Sequence, residues 1–241
     1  MRGWTDGQRW ADLLAPMLER RILIALVVLA AGIWGFVGIA DEVREGDAIS
    51  LDRTILLLFR NPADPSDPLG PIWLESAVRD ITALGGVTVT TLMTLGAAGF
   101  LLLSGKRGAA LFVVVSIAGA ALLSSGMKLG FERPRPDLVP HGTAVYTASF
   151  PSGHATGAAA TYLTLGALLA RFQSRRRLKV YLLSLAVLLT VLIGLSRLYL
   201  GVHWPSDVLA GWTLGASWAL LCWLVAWQLQ RRGKVEDDAE S

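Results

Sequence analysis

Long runs without a charged side chain dominate this sequence and restrict the folds open to it. Six runs lie at residues 22–40, 81–103, 108–127, 153–170, 180–195 and 208–230, and none contains Asp, Glu, Lys or Arg. A stretch of roughly 17–25 apolar residues can cross a bilayer as a helix. Backbone groups in lipid must hydrogen-bond within the segment, so each run is predicted to be helical. The sequence therefore predicts an all-α integral membrane bundle of six transmembrane helices.

The composition agrees with a membrane protein built as one domain. Of the 241 residues, 53% are hydrophobic and 17% are charged, whereas soluble domains carry about 25% charged residues. The length suits a single membrane domain over 1–241. One cysteine, Cys222, excludes an internal disulfide framework. The net charge of +3 is small, and no nucleic-acid partner is predicted.

Two details of the apolar runs bear on how the helices are arranged. Small residues recur at 85–86, 96–99 and 211–215, and such positions let membrane helices pack closely. The run at 22–40 ends in a small-x-small pattern typical of a signal-peptide cleavage site. Its 19 residues exceed the usual apolar region of about 7–15. An uncleaved first helix is therefore the preferred interpretation.

The distribution of charge predicts the orientation in the membrane. With six spans, both termini share a side with the connections at 104–107 and 171–179. That side carries 14 of the 22 Lys and Arg residues but 7 of the 19 Asp and Glu residues. Positive residues accumulate on the cytoplasmic side. The termini are therefore predicted to be cytoplasmic, in a multi-pass protein of a bacterial inner membrane.

Three polar clusters interrupt the apolar sequence, and this topology places all of them on the outer face. They are KLGFERPRP at 128–136, PSGH at 151–154 and SRLYLGVHWPSD at 196–207. They follow the third span, begin the fourth, and join the fifth to the sixth. Together they supply cations, two histidines and a carboxylate. Their convergence predicts one composite phosphate site on the periplasmic or extracellular face.

Cations and a helix N-terminus in these clusters suit phosphate binding. Lys128, Arg135 and Arg197 are expected to come from two loops and to surround one anion, because cations stabilise the charge on a phosphoryl group in transfer. Ser152 and Gly153 open a helix whose free N–H groups can bind an anion. The simpler alternative is that each cation lies at a helix end with its tip in the headgroup region.

His203 and Asp207 are four residues apart at a helix start, so they share one helix face. An Asp bonded to one imidazole nitrogen fixes the tautomer and leaves the other nitrogen free to attack. Histidine forms covalent intermediates, and His154 can protonate a leaving oxygen and then activate water. The alternative is an interfacial histidine followed by an Asp that stabilises the helix N-terminus.

Two residues of this region are given no chemical role. Arg133 is assigned to the headgroup alternative. His141 has no partner at a recognisable spacing and is assigned to a loop.

A metal hydrolase is the rival chemistry. The sequence lacks His-Glu-x-x-His, paired cysteines and a helical cluster of Asp, and two-metal phosphatases need several carboxylate ligands. No metal or other cofactor is predicted.

Two further segments lie outside the spans. Residues 41–80 form an outer loop with an amphipathic stretch at 48–60, which either lies in the headgroup region or forms a wall or lid that guides a lipid into the site. Residues 231–241 are expected to be a disordered polar tail.

The three clusters together resemble the type 2 phosphatidic acid phosphatase family of membrane lipid phosphatases, which is related to the soluble vanadium haloperoxidases. The first motif, Lys-x6-Arg-Pro, matches Lys128 and Arg135-Pro136. The second, Pro-Ser-Gly-His, matches 151–154. The third, Ser-Arg-x5-His-x3-Asp, matches Ser196-Arg197, His203 and Asp207. The resemblance covers a phosphatase core at about 80–230.

The resemblance implies a role for each matched residue. His203 would be the nucleophile that forms a phosphohistidine, Asp207 would orient it, and His154 would protonate the leaving group. The phosphate would be held by Lys128, Arg135, Ser152, Gly153 and Arg197. The family uses no metal.

These observations predict a metal-independent lipid phosphatase. Its substrate would be a membrane lipid phosphate or diphosphate of the undecaprenyl diphosphate, phosphatidylglycerophosphate or phosphatidate type, held in the lipid bilayer. Two alternatives stay open, namely a lipid phosphotransferase that uses the same phosphohistidine, and a non-catalytic lipid-binding or transport protein. The oligomeric state is not predicted.

Overall fold

The computed structural model describes residues 6–137 and 147–231, with the backbone alone for residues 6–19. His141 and the predicted tail beyond residue 231 lie outside the described residues. The described chain folds into eight helices and one short hairpin. In chain order the elements are α1 (Asp6–Glu45), α2 (Ala48–Leu57), β1 (Arg60–Asn61), β2 (Asp64–Pro68), α3 (Ile72–Ala83), α4 (Val87–Leu103), α5 (Arg107–Gly130), α6 (Gly153–Arg171), α7 (Arg176–Tyr199) and α8 (Pro205–Arg231).

The predicted all-α class is confirmed. For the number of membrane spans, the structure gives a range of four to five. Within the described residues, four helical segments are long and apolar enough to cross a membrane: Arg20–Glu45, Arg107–Gly130, Arg176–Tyr199 and Pro205–Arg231. The pair Ile72–Ala83 and Val87–Leu103 makes a fifth if it counts as one bent span. The chain is thus an integral membrane protein with four or five candidate spans by length and composition.

Helix α6 is also predicted from the sequence to span the membrane, but it is not among the helices that are apolar enough. Its position in the bundle gives the reason. Ten of its 19 residues are buried, most of them Ala, Thr or Gly. It packs against α4, α5, α7 and α8. A helix enclosed by other helices needs small side chains more than it needs apolar surface facing lipid.

The run at 81–103 is not one continuous helix. Helix α3 ends at Ala83, α4 begins at Val87, and the two are bent by 45°. A Cβ added at Gly85 would collide with the Ile193 side chain on α7. Gly85 therefore permits a close approach of α7 that a larger residue would prevent.

Close packing at small residues is confirmed at 85–86 and at 211–215 and is wrong at 96–99. A Cβ added at Gly211 would lie 2.8 Å from Ala155 Cβ, and one at Gly215 would collide with the Thr156 carbonyl oxygen. These contacts bring α8 against α6. By contrast, among the described residues nothing lies within 4 Å of a Cβ built at Gly96 or Gly99.

The segment between α1 and α3 is fixed to the bundle at the end where α7 stops and α8 begins. Leu56 of α2 is fully buried in a cluster that includes Leu198, Trp204 and Val208. The hairpin pairs β1 with β2 in antiparallel register. Arg60 Nη2 donates a hydrogen bond of 2.8 Å to the Tyr199 carbonyl oxygen. Helix α2 is therefore docked on protein through one of its faces.

Candidate active site

The structure brings the three polar clusters together at one end of the bundle. Arg135 Nη1 lies 2.9 Å from the Val202 carbonyl oxygen, which joins the first cluster to the third. The Ser152 N–H donates to the Asp207 carbonyl oxygen at 3.0 Å, which joins the second cluster to the third. Lys128 Nζ donates to the Ala148 carbonyl oxygen at 2.7 Å. All eight residues predicted for the site lie among the described residues.

Asp207 is fully buried and contacts several of the site's polar groups. Its Oδ2 accepts hydrogen bonds from the Ser149 hydroxyl and from the Trp204 N–H at 2.9 Å, and lies 3.4 Å from His203 Nδ1. The bond to Trp204 closes the first turn of α8 from within, since a side chain three residues into a helix can satisfy the N–H of the capping residue. Asp207 therefore stabilises the helix start and faces the histidine at once.

The hydrogen bonds around His203 select one tautomer. Nε2 lies 3.1 Å from Arg135 Nη1, and a guanidinium can only donate. Nε2 therefore accepts, so the proton of the neutral ring sits on Nδ1, facing Asp207 Oδ2 and Ser149 Oγ. The lone pair on Nε2 points to the side of the ring where the cations lie. This is the tautomer that a nucleophilic histidine needs.

His203 lies in the turn between α7 and α8 and is only 2% exposed. Burial lowers the pKa of His203 to about 4, and the hydrogen bond and charge of Asp207 act in the opposite direction. The nearby charges of Arg135 and Arg197 add to the lowering. The ring is therefore neutral near pH 7, with its nucleophilic nitrogen unprotonated.

The three predicted cations share one neighbourhood, but two of them lie on helices and not in loops as expected. Lys128 is in the last turn of α5 and Arg197 is in the last turn of α7, where the partial negative charge of a helix end favours cations. Lys128 interacts electrostatically with both Arg135 and Arg197. Like charges held together on half-buried side chains indicate a site for an anion.

Arg197 has one N–H group that no described residue accepts from. Its Nη1 donates to Thr82 Oγ1 on α3 at 2.9 Å. Its Nε is buried and has no hydrogen-bond partner among the described residues. A buried guanidinium N–H without an acceptor is costly, so an anionic ligand would satisfy it.

The PSGH cluster forms the start of α6. Ser152 is the N-cap, and its Oγ accepts from the Ala155 N–H at 3.4 Å, which leaves the hydroxyl proton free to donate. The first N–H groups of the helix have no acceptor within it. A Cβ added at Gly153 would meet only Ser124 Oγ, at 3.8 Å, within 4 Å among the described residues. The glycine thus leaves space in front of these donors.

His154 lies in the first turn of α6, beside the break between α3 and α4. A Cβ added at Gly86 would be 3.9 Å from His154 Nε2. The imidazole interacts electrostatically with Arg197 and His203. His154 and His203 therefore approach the cation cluster from different elements.

The assignment of Arg133 to the headgroup region is wrong. Its side chain is 9% exposed, and it forms ion pairs with Asp52 at 2.6 Å and Asp207 at 2.7 Å. Pairing with two buried carboxylates places it inside the protein, because a lone charge would otherwise prefer the aqueous interface.

Sequence reasoning also missed Asp52, Ser149, Ser206 and Thr82. One signal for Asp52 exists in the sequence, since it shares a helix face with Leu56 and Phe59 at spacings of four and seven residues. A charged residue on the apolar face of an amphipathic helix needs a buried partner.

Within the described residues, no group of three or more His, Cys, Asp and Glu side chains is placed to hold a metal ion.

Comparison with known proteins agrees with this geometry. The family model described as PAP2 superfamily matches residues 109–231. Phosphatidylglycerophosphatase B of Bacillus subtilis is 35% identical over 150 residues, which cover 59% of this chain and 70% of that protein. Lipid A 1-phosphatase of Rhizobium johnstonii is 31% identical over 202 residues, covering 73% and 78%.

A solved structure shares the fold. The crystal structure of a transmembrane PAP2 type phosphatidylglycerolphosphate phosphatase from Bacillus subtilis superimposes with a TM-score of 0.71 at 28% identity, covering 84% of this chain and 98% of that chain. The family predicted from the three motifs is therefore confirmed: this chain belongs to the PAP2 superfamily.

Proposed function

We propose that this protein is a metal-independent lipid phosphatase that hydrolyses a phosphate ester or diphosphate of a membrane lipid through a phosphohistidine on His203. The observation that carries the proposal is the setting of His203, with Nδ1 facing Asp207 and with Nε2 beside Arg135 in a group of half-buried cations. Both similar proteins named above are phosphatases of membrane lipids.

The first step transfers the phosphoryl group to the protein. His203 Nε2 attacks phosphorus as the bond from phosphorus to the leaving oxygen breaks, and His154 gives its proton to that oxygen. The positive charge that develops on the His203 ring is stabilised by Asp207 through the Nδ1 proton. Lys128, Arg135, Arg197 and the first N–H groups of α6 stabilise the oxygens of the phosphoryl group in transfer.

The second step hydrolyses the phosphohistidine and restores free His203. His154, now unprotonated, takes a proton from a water molecule. The oxygen of that water attacks phosphorus, and the bond from phosphorus to His203 Nε2 breaks. The products are inorganic phosphate and a lipid with one phosphate group fewer, which is an alcohol from a monoester and a monophosphate from a diphosphate. Ser152 and Gly153 are proposed to hold the phosphate through both steps.

The proposed topology has six spans, with α3 and α4 as one bent span and α6 as the enclosed one. Both termini lie in the cytoplasm and the site opens on the outer face, as the charge distribution favours. The protein is proposed to be a single multi-pass domain of a bacterial inner membrane. Lipids whose phosphate faces outward then become the substrates, and undecaprenyl diphosphate, phosphatidylglycerophosphate and phosphatidate are the candidates.

The test is phosphate release by purified full-length protein in detergent micelles containing EDTA. We expect release from phosphatidate, phosphatidylglycerophosphate or undecaprenyl diphosphate, loss of turnover in His203→Ala, and an acid-labile phosphoprotein in the wild type. His141→Ala serves as the control, because no role is assigned to the third histidine. Full turnover in His203→Ala would exclude the mechanism, and phosphate found only on a lipid or sugar acceptor would indicate a phosphotransferase.

A further inference from the structure

We infer that Arg133 and Asp52 are positioning residues for the reaction, because they hold the carboxylate of Asp207 against His203 and make helix α2 part of the catalytic machinery. This inference rests on the proposed function of His203. Neither residue belongs to the three sequence motifs, and Asp52 lies outside the residues that the family model matches.

The two oxygens of Asp207 have separate partners. Oδ2 faces His203 Nδ1, Ser149 Oγ and the Trp204 N–H. Oδ1 accepts from Arg133 Nη1 at 2.7 Å. Arg133 therefore fixes the rotation of the carboxylate about its side-chain bond, so that Oδ2 stays directed at the histidine. Without Arg133, the oxygen away from His203 has no charged partner among the described residues.

Arg133 is itself held from the other side by α2. Its Nη2 donates to Asp52 Oδ2 at 2.6 Å, while Nη1 also donates to Ser206 Oγ at 2.7 Å. The guanidinium lies over the Trp204 ring, 5.7 Å from its centroid. A planar guanidinium can bond two carboxylates with two different nitrogens, which an ammonium group cannot reproduce with the same geometry.

Asp52 also binds the first turn of α8 directly. Its Oδ1 accepts from the Ser206 N–H at 2.8 Å, and its Oδ2 accepts from the Ser206 hydroxyl at 2.6 Å. The N–H groups of a first helical turn have no acceptor within the helix, so a residue 154 positions away in sequence supplies one. Asp52 thereby fixes both Arg133 and the turn that carries Asp207.

The charges explain why the three residues must act as a set. Asp52, Arg133 and Asp207 alternate in sign, and their side chains are at most 9% exposed. Removing Arg133 alone would leave two buried carboxylates close together, which cannot both stay ionised. Removing Asp52 alone would leave Arg133 with hydrogen bonds to Asp207 and Ser206 from Nη1 and without the carboxylate that holds Nη2. Removing both charges keeps the net charge of the set unchanged and leaves Asp207 without its anchor.

The test compares Asp52→Asn, Arg133→Met and the double variant with wild type and with Arg79→Met, a control in an exposed ion pair with Glu75. Full-length protein is assayed in micelles with phosphatidate and with farnesyl diphosphate, and thermal stability is measured alongside. We expect kcat to fall about 10-fold to 100-fold in each single variant, as for residues that orient a catalytic ligand, with KM changed less than threefold. We expect Arg133→Met to be the least stable, and the double variant to regain stability without regaining kcat.

Recovery of kcat together with stability in the double variant would overturn the inference, because the pair would then be structural only. A rise in KM with unchanged kcat would overturn it as well, since Arg133 would then bind the headgroup. His203→Ala in the same series separates the two levels of the argument. If that variant keeps its turnover, the proposed function fails; if it is inactive while the Arg133 and Asp52 variants keep wild-type kcat, only the positioning inference fails.

Discussion

Arg135 Nη1 lies 3.1 Å from His203 Nε2, the nitrogen that would attack phosphorus. The contact leaves the lone pair of Nε2 occupied by a donor that is itself suited to phosphate oxygens. When a phosphate enters, the guanidinium can transfer its hydrogen bond from the ring to a phosphate oxygen, which frees the nucleophile at the moment that its target arrives.

Replacing Arg135 tests this double role. In Arg135→Lys we expect kcat/KM to fall about 100-fold, since removal of one preorganised donor to a transition-state oxygen costs that order of rate. Lysine keeps the charge but loses the planar pair of donors. Binding of orthovanadate, a phosphate mimic, should weaken in parallel. Arg53→Lys on the exposed side of α2 is the matched control, and equal losses in both variants would contradict the assignment.

The hydroxyl of Ser149 provides a second test. It is fully buried and donates to Asp207 Oδ2, beside His203 Nδ1. Ser149→Ala removes one of the bonds that orient the carboxylate, so we expect kcat to fall about 10-fold, in the range seen for residues that orient a catalytic ligand. The loss of stability should be about 1 kcal/mol. Ser76→Ala removes an exposed hydroxyl that donates to the Ile72 carbonyl oxygen within α3, and it should leave both quantities unchanged. A wild-type kcat in Ser149→Ala would show that Asp207 needs no help from this residue.

The protonation of His203 should be visible by nitrogen NMR. Burial holds its pKa at about 4, against about 6.5 for an exposed histidine. The folded protein therefore binds fewer protons than the unfolded chain between these values. This group thus adds stability above about pH 6.5, and the contribution is lost as pH falls from about 6.5 toward about 4.

In protein labelled at histidine nitrogens, we expect His203 to stay neutral at pH 6 with its proton on Nδ1. The signal is assigned by its absence from His203→Ala. Protonation with a midpoint near pH 6.5, or a proton on Nε2, would contradict the geometry described above.

The convergence of the motif residues at one end of the bundle could be predicted from the sequence, whereas their chemical roles stay predictions. Lys128, His154, Arg197 and Asp207 lie at helix ends, and Arg135 and His203 lie in the connections beside them, so the order of the helices along the chain brings them together. Arg133 and Asp52 could not be placed in this way. Their pairing joins positions 81 residues apart and depends on how α2 docks, which no local pattern records. The bend at Gly85 and Gly86 was missed for a similar reason, since only contact with Ile193 reveals why the helix breaks there.

Two glycine variants can test which small residues are needed for close packing of the helices. A Cβ at Gly215 would collide with the Thr156 carbonyl oxygen and lie 2.8 Å from Ala159 Cβ, whereas one at Gly99 would meet nothing within 4 Å among the described residues. Gly215→Ala should therefore destabilise the protein by about 1–3 kcal/mol through overpacking. Gly99→Ala should be neutral or stabilising by up to about 1 kcal/mol, because alanine favours helix. Thermal unfolding in one detergent compares the two. Equal stability of both variants would contradict the close packing of α6 and α8.

The orientation in the membrane decides which lipids can reach the site, and reporters can measure it. Alkaline phosphatase is active only outside the cytoplasm, and green fluorescent protein inserted by the general secretory route fluoresces only inside. A reporter fused after Arg232 should read cytoplasmic, and one inserted near Asp64 in the β1–β2 hairpin should read external. Both follow from the excess of Lys and Arg on the side of the termini. Since Arg60 of the hairpin bonds to the Tyr199 carbonyl oxygen at the end of α7, the hairpin shares its side with His203. The reverse pattern would place the site in the cytoplasm and replace outward-facing lipid phosphates with those of the inner leaflet as substrates.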